Sequence, residues 1–240
     1  MEELYFKKQI EENINDLDTN QVVFFAWLCA VRSLPFIGIS GNFNLWKESD
    51  KLKHLYAVIN VIDNIAVNRS ADNVISANNN VNAPLVAADI ASAAALFTGN
   101  ITASVADAAA YAYTYAALAV TGAIAHADSM MYKYANIAAL ATDAAANKKW
   151  HHIILKDISD IKSDKYNELN NNTDDLYGVV WKNFQEMLKN LGCAYWGELY
   201  EKIFKDRFQL DKEKLEKRLK VPSEIKNKGA KAVADYFNVK

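Results

Sequence analysis

Apolar residues recur along this chain at helical spacing, with no sustained apolar/polar alternation that would mark a strand. Residues 2–18 place Leu4, Tyr5, Ile10, Ile14 and Leu17 among acids and lysines, predicting an amphipathic helix. Asp18, Thr19 or Asn20 can cap the next helix, 21–34, whose sequence QVVFFAWLCAVRSL is apolar nearly all round. A helix without a polar face is a buried one. Pro35 stops it, and Gly38 and Gly41 predict a loop. The stretch 46–67 is amphipathic again, with Leu52, Leu55, Tyr56, Ile59, Ile62 and Ala66 on one side. Residues 68–83 are polar and asparagine-rich and read as a long loop, after which Pro84 suits a first helical turn.

The pattern then changes. Residues 83–147 contain 26 alanines, the strongest intrinsic helix former, and predict helices over about 101–121 and 123–146 with a break at Gly99-Asn100. Small side chains let backbones approach closely, and Tyr111, Tyr113, Tyr115, Leu118, Met130, Met131, Tyr132 and Tyr134 supply bulk between them. After Trp150 ordinary amphipathic segments return: a short helix over 151–161, a polar stretch 162–173, and a helix capped by Asp174 and ended by Gly192. Further helices are predicted over 194–205, 211–219 and 222–237. The expected fold class is all-α, a multi-helix bundle or array with an alanine-rich core at 83–147. Its expected organisation is a helical domain over 1–162 and a C-terminal helical subdomain over 163–240.

Composition supports a packed core: 51% of residues are hydrophobic, 11% aromatic and 23% charged, with three prolines and eight glycines among 240 residues. The net charge of −2 exerts no global pull on nucleic acid or anionic membrane. Residues 201–240 hold 12 Lys/Arg against 7 Asp/Glu, but the signs interleave (DKEKLEKR), the habit of a solvated helix with i,i+4 pairs. Cys29 and Cys193 sit in apolar surroundings and read as buried free thiols. The charged start MEELYFKK lacks a signal region, which points to the cytoplasm.

The 20 uncharged residues between Asp107 and Asp128 are long enough to span a bilayer. They are mostly Ala, Tyr, Thr and Gly, and no Lys/Arg cluster flanks them, so a buried core is the expectation. Asp89, Asp107, Asp128 and Asp143 each interrupt an otherwise uncharged helix. Facing inward with His126, they would form a carboxylate cluster suited to a divalent cation or to acid/base work. Facing outward, each marks the thin wet edge of its helix. Their spacing matches no metal-ligand motif, and His126 and Asp128, two apart, point away from each other on one helix. His151 and His152, beside Lys148 and Lys149, read as a solvated helix junction. No nucleophile elbow, P-loop or dinucleotide fingerprint is present, so no catalytic residue, cofactor or metal is assigned. Arg32, alone in an apolar helix, demands a partner, and Asp63 on the following helix is the candidate for an internal ion pair.

The tract FAWLCAVRSLPF, the Ala/Tyr-rich helices after it and Trp150 resemble the alanine-rich, all-helical immunity proteins found beside toxins in bacterial conflict systems. The segment GCAYWGELYEKIF, with LEKRLKVPSEIKNKGAKAVADYF, is similar to helical segments appended to bacterial signalling or defence proteins. The resemblance implies a conflict setting and a binding role, and it transfers no catalytic residue. The function expected is therefore a non-enzymatic immunity, antitoxin or defence component that binds a protein partner. Loop 68–83 and the exposed faces of the C-terminal helices are its expected contact surfaces. An enzyme built on the aspartates is the alternative, and a membrane-active effector a second one.

Overall fold

The computed structural model describes residues 2–39, 43, 46–70, 101–169 and 175–238. Among them are eleven α-helices and no strand, so the fold is all-α. Helix α1 spans Glu2–Ile14 and α2 spans Thr19–Ser33. Asp18 is the N-cap of α2: its carboxylate accepts the Gln21 N–H while the Gln21 side chain accepts the Asp18 N–H, a reciprocal capping box. Pro35 ends α2 as expected, though the chain continues as a 3-10 turn over Leu34–Gly38 in place of a loop. Helix α3 (Lys51–Ser70) starts later than its apolar pattern suggests and runs into the first residues of the expected loop. The rest of that loop, with Pro84, Asp89 and the Gly99-Asn100 break, lies outside the described residues.

Helices α4 (Ile101–Ile124) and α5 (Asp128–Ala145) form the hairpin of the alanine block. The turn comes at His126, whose φ of 52° is left-handed, and Gly122 stays inside α4. A Cβ on Gly122 would stand 2.7 Å from the Met131 backbone nitrogen, so this glycine permits the close approach of the two helices. Helices α4 and α5 also carry the largest interhelical contact, and both lean on α2. Ala109, Ala112, Ala116 and Ala119 of α4, and Ala135, Ala138, Ala139 and Ala145 of α5, are buried. Every residue of α2 from Val22 to Ser33 is buried, which is why that helix carries no polar face.

The remaining helices surround this three-helix centre. Helix α1 lies against α5 and α6 (His151–Lys162), buries Phe6, Ile10 and Ile14, and is tied at its far end by the Tyr132 hydroxyl, which donates to the Leu17 carbonyl at 2.9 Å. A 3-10 turn, Tyr166–Glu168, follows α6 within the expected polar stretch. Helices α7 (Asp175–Asn190) and α8 (Ala194–Lys205) meet at Gly192, a C′ glycine with φ of 70°, while position 174 lies outside the described residues. Helix α9 is Lys212–Leu219, capped by Asp211. The single helix expected over 222–237 is two, α10 (Ser223–Lys226) and α11 (Ala230–Asn238), because Gly229 adopts a φ of 94° against the backbone of Leu52.

The ion pair expected between Arg32 and Asp63 is not formed: each has a different partner. The Arg32 guanidinium donates to Asp157 of α6 at 2.9 Å, and Arg218 of α9 donates through Nε and Nη2 to the two Asp63 oxygens at 2.8 and 2.9 Å. The reason is which neighbour faces which stripe. Helix α6 covers the side of α2 bearing Arg32, whereas Asp63 faces the C-terminal helices.

Candidate functional site

The polar groups of the core gather along the seam where α2, α5 and α6 meet. Arg32 and Asp157 have side chains only 2% exposed, so neither charge has recourse to water. Burial pushes the Asp157 carboxyl up to about 6, with Arg32 pulling it down and Asp160 adding to the rise. The Arg32 guanidinium also lies 4.9 Å from the centre of the Phe208 ring. Beside this pair, the Ser33 and Thr142 hydroxyls sit 3.1 Å apart and reach the Cys29 and Ala138 carbonyls, so the helix crossing is satisfied internally. Burial raises the Cys29 thiol to about 12, which removes the thiolate a nucleophile would need.

Next to Thr142 on α5, Asp143 is 3% exposed. Its Oδ1 accepts the Trp150 N–H at 2.8 Å, fixing the α5–α6 corner. Its Oδ2 lies 2.7 Å from His151 Nε2, an approach that is close in distance but off the direction of a hydrogen bond. Burial raises the Asp143 carboxyl, and the Trp150 N–H, His151 and Lys148 each oppose that rise. The imidazole is sandwiched from outside by Phe6 of α1, the ring centroids 3.8 Å apart and nearly parallel. A second polar knot ties α3 to the C-terminal helices. There burial alone would lower the Arg218 pKa, and the Asp63 carboxylate reverses this and raises it.

The structure separates the carboxylates and histidine singled out from sequence. Asp143 is buried in the seam, but Asp128 and His126 are exposed at the other end of α5. Fifteen residues of helix put roughly 22 Å between Asp128 and Asp143. Asp107 lies in α4 with its side chain outside those described, and Asp89 lies outside the described residues. Among the described residues no three His, Cys, Asp or Glu side chains are grouped to hold a metal. The sequence reading missed Asp157, Asp160 and Arg218 as buried charges. A signal existed: Asp157 falls inside the apolar stripe Ile153, Ile154, Ile158, Ile161, and Arg218 follows Leu215 by one turn.

The outer surface differs in kind. Leu4, Tyr5, Val179 and Met130 are large apolar side chains left exposed. An open groove of about 450 Å³ runs between α1 and α5, with Lys7, Glu11, Ile14, Tyr132, Asn136 and Ile137 among its walls. Asn136 is 7% exposed, and its Oδ1 has no hydrogen-bond partner among the described residues. A smaller groove of about 280 Å³ lies between Pro35, Gly38, Val180 and Met187. The C-terminal helices offer paired charge, with Lys205–Glu201, Lys217–Glu213, Lys220–Glu216 and Lys231–Asp235 bridging i,i+4. The stretch among described residues long and apolar enough to cross a membrane is Thr19–Gly38, not the alanine block, and 94% of it is buried inside the fold. No protein-family model, curated protein or solved structure matches this chain.

Proposed function

We propose that this chain is a non-enzymatic helical binding protein, acting in the cytoplasm through protein–protein contact as an immunity, antitoxin or defence component. The observation that carries the reading is where the chain spends its polar and apolar groups. Its buried charges are matched internally, Arg32 to Asp157 and Arg218 to Asp63, while Leu4, Tyr5, Val179 and Met130 face outward and the surface grooves are open. Exposed apolar side chains and open grooves suit a macromolecular partner better than a small substrate, which a deep enclosed pocket would hold. The defence setting draws on the resemblances of the alanine-rich tract and of the C-terminal segment.

The test is recovery of a partner from the native host with the full chain as bait, followed by calorimetry of the two purified proteins. A saturable complex of fixed stoichiometry is the expected result. No such complex, together with turnover of a small molecule, overturns the reading. The enzyme alternative has one geometric observation in its favour, the approach of Asp143 to His151. It requires that Asp143→Asn, which keeps an acceptor for the Trp150 N–H, abolish that turnover while leaving the melting temperature in place.

A further inference from the structure

The alanine hairpin is nearly without charge. Helix α4 has no Asp, Glu, Lys, Arg or His from Ala108 to Ile124, and α5 from Ser129 to Ala145 has two, the buried Asp143 and the exposed Lys133. Lys133 forms no ion pair among the described residues. Its ammonium lies 5.8 Å from the centre of the Tyr134 ring, and Tyr134 stacks on Tyr115 as Tyr115 does on Tyr111. All three rings are half-buried. Lys133 is therefore a lone cation beside an apolar, aromatic strip.

On its other side Lys133 lines the groove between α1 and α5. Both walls are helical stripes at three- and four-residue spacing: Lys7, Glu11 and Ile14 on α1, and Ser129, Lys133, Ile137 and Leu140 on α5. Two such ridges are what a third helix packs between, and the α5 wall runs roughly 16 Å, about three turns of an occupant. Leu4 comes seven residues before Glu11, and Met130 seven before Ile137, a step that returns a helix to within about 20° of the same direction. Two of the four large apolar side chains exposed among the described residues are thus in line with the groove's walls. The rims give the groove its sign. Helix α1 brings Lys7 and Glu11, opposite charges one turn apart, while Glu12 bridges Lys8 at 3.6 Å and the side chains of Glu2 and Glu3 lie outside those described. Asp16 is held by Lys162, and Asp18 caps α2. Asp128 opens α5 but stands about 140° round the helix from Lys133. The charge left to be answered is Lys133, and an acid brought to it on an apolar body would form a shielded pair near the middle of a contact.

We propose that this groove is the docking surface for an amphipathic helix of a partner protein, whose apolar stripe lies along Ile137 and Leu140 and whose flanking Glu or Asp pairs with Lys133. Resting on the protein-binding reading above, this puts the contact on α1 and α5 in place of loop 68–83 and the C-terminal helices.

Two synthetic helical peptides of about four turns serve as probes, both with leucines at three- and four-residue spacing, flanked in one by Glu and in the other by Lys. Each is titrated with the full chain by fluorescence anisotropy. The Glu peptide is expected to bind saturably, and the Lys peptide on the order of tenfold or more weaker. Lys133→Glu reverses that preference, and Ile137→Asn weakens both peptides. Lys149→Glu, at the exposed α5–α6 corner, changes the net charge equally and leaves the preference as it was. Circular dichroism checks that each variant folds; if Ile137→Asn does not, the swap at exposed Lys133 decides. Binding of neither peptide, or equal binding of both, overturns the proposal, as does a preference that Lys149→Glu alters as much as Lys133→Glu. Self-association of the chain that Lys133→Glu removes also overturns it, since a second copy then fills the groove. If the stoichiometric complex tested above still forms in any of those cases, the binding reading stands without this surface.

Discussion

Arg32 and Asp157 hold each other in place across 125 residues of sequence, with both side chains only 2% exposed. Removing one partner of a buried pair leaves an uncompensated ion, so Arg32→Met is expected to lower stability by about 3–5 kcal/mol in urea denaturation. Adding Asp157→Leu to it returns most of that loss, because two apolar side chains of similar bulk carry no desolvation cost. The pair also imposes a pH dependence. Burial places the Asp157 carboxyl at about 6 in the folded chain, above its ordinary value of about 3.9, so the folded state binds this proton more tightly than the unfolded chain. The stabilisation from that proton is complete below the unfolded value and is lost as pH rises through about 6. Melting temperatures of the wild type, measured against Asp157→Asn over that interval, should therefore fall with rising pH. A constant difference between the two would contradict the assignment. From sequence, Arg32 was recognisable as a charge that needed a partner, since its helix is otherwise apolar. Its partner was not recognisable, because helical periodicity says which residues face inward and leaves open which helix will face them.

Helices were the most legible level, because periodicity and caps are local. Asp18 before α2 and Gly192 after α7 both act as their types suggest. Replacing Asp18 by alanine removes the capping bond to Gln21 and should cost about 1 kcal/mol by denaturant titration. Less legible were boundaries set by contact between helices. Gly122, which sits inside α4, is present because the Met131 backbone lies against it, and Gly229 divides the last helix because the Leu52 backbone blocks a straight path. Neither neighbour is near in sequence for Gly229, so its left-handed φ could not be inferred from local pattern. A Cβ at Gly229 would meet Leu52 backbone atoms at 2.6 Å and would also be strained at a φ of 94°. Gly229→Ala is accordingly expected to destabilise by on the order of 2 kcal/mol or more, above the ordinary cost of alanine at positive φ. Alanine at an exposed position such as Gly178, which meets nothing within 4 Å, serves as the control and should cost nothing.

At the scale of the whole molecule, α3 is joined to the C-terminal helices by the Asp63–Arg218 pair, and α8 to α11 by the Trp196 indole, which donates to the Ala230 carbonyl at 2.9 Å. Arg218→Met leaves Asp63 buried without its cation, and amide exchange in α9 and α11 should quicken on the order of a hundredfold while α2 keeps its protection. The basic excess of the last forty residues gave no hint of this tie, because most of those charges pair along the helix surface and, among the described residues, Arg218 is the one that is buried. The carboxylate cluster was equally beyond the sequence. Its members share a composition, and whether they share a place depends on how far apart the turns of α4 and α5 set them. The two cysteines give this architecture a use as its own gauge. Burial raises both thiols to about 12, so neither presents appreciable thiolate to a labelling reagent while the chain is closed. Cys29 lies at the centre of α2, and Cys193 lies where α7 meets α8, within the electrostatic reach of Lys231 and Asp235 on α11. Alkylation at one therefore times the parting of the central helices, and at the other the lifting of the C-terminal ones, so that a single unmodified chain carries two clocks for two separate openings.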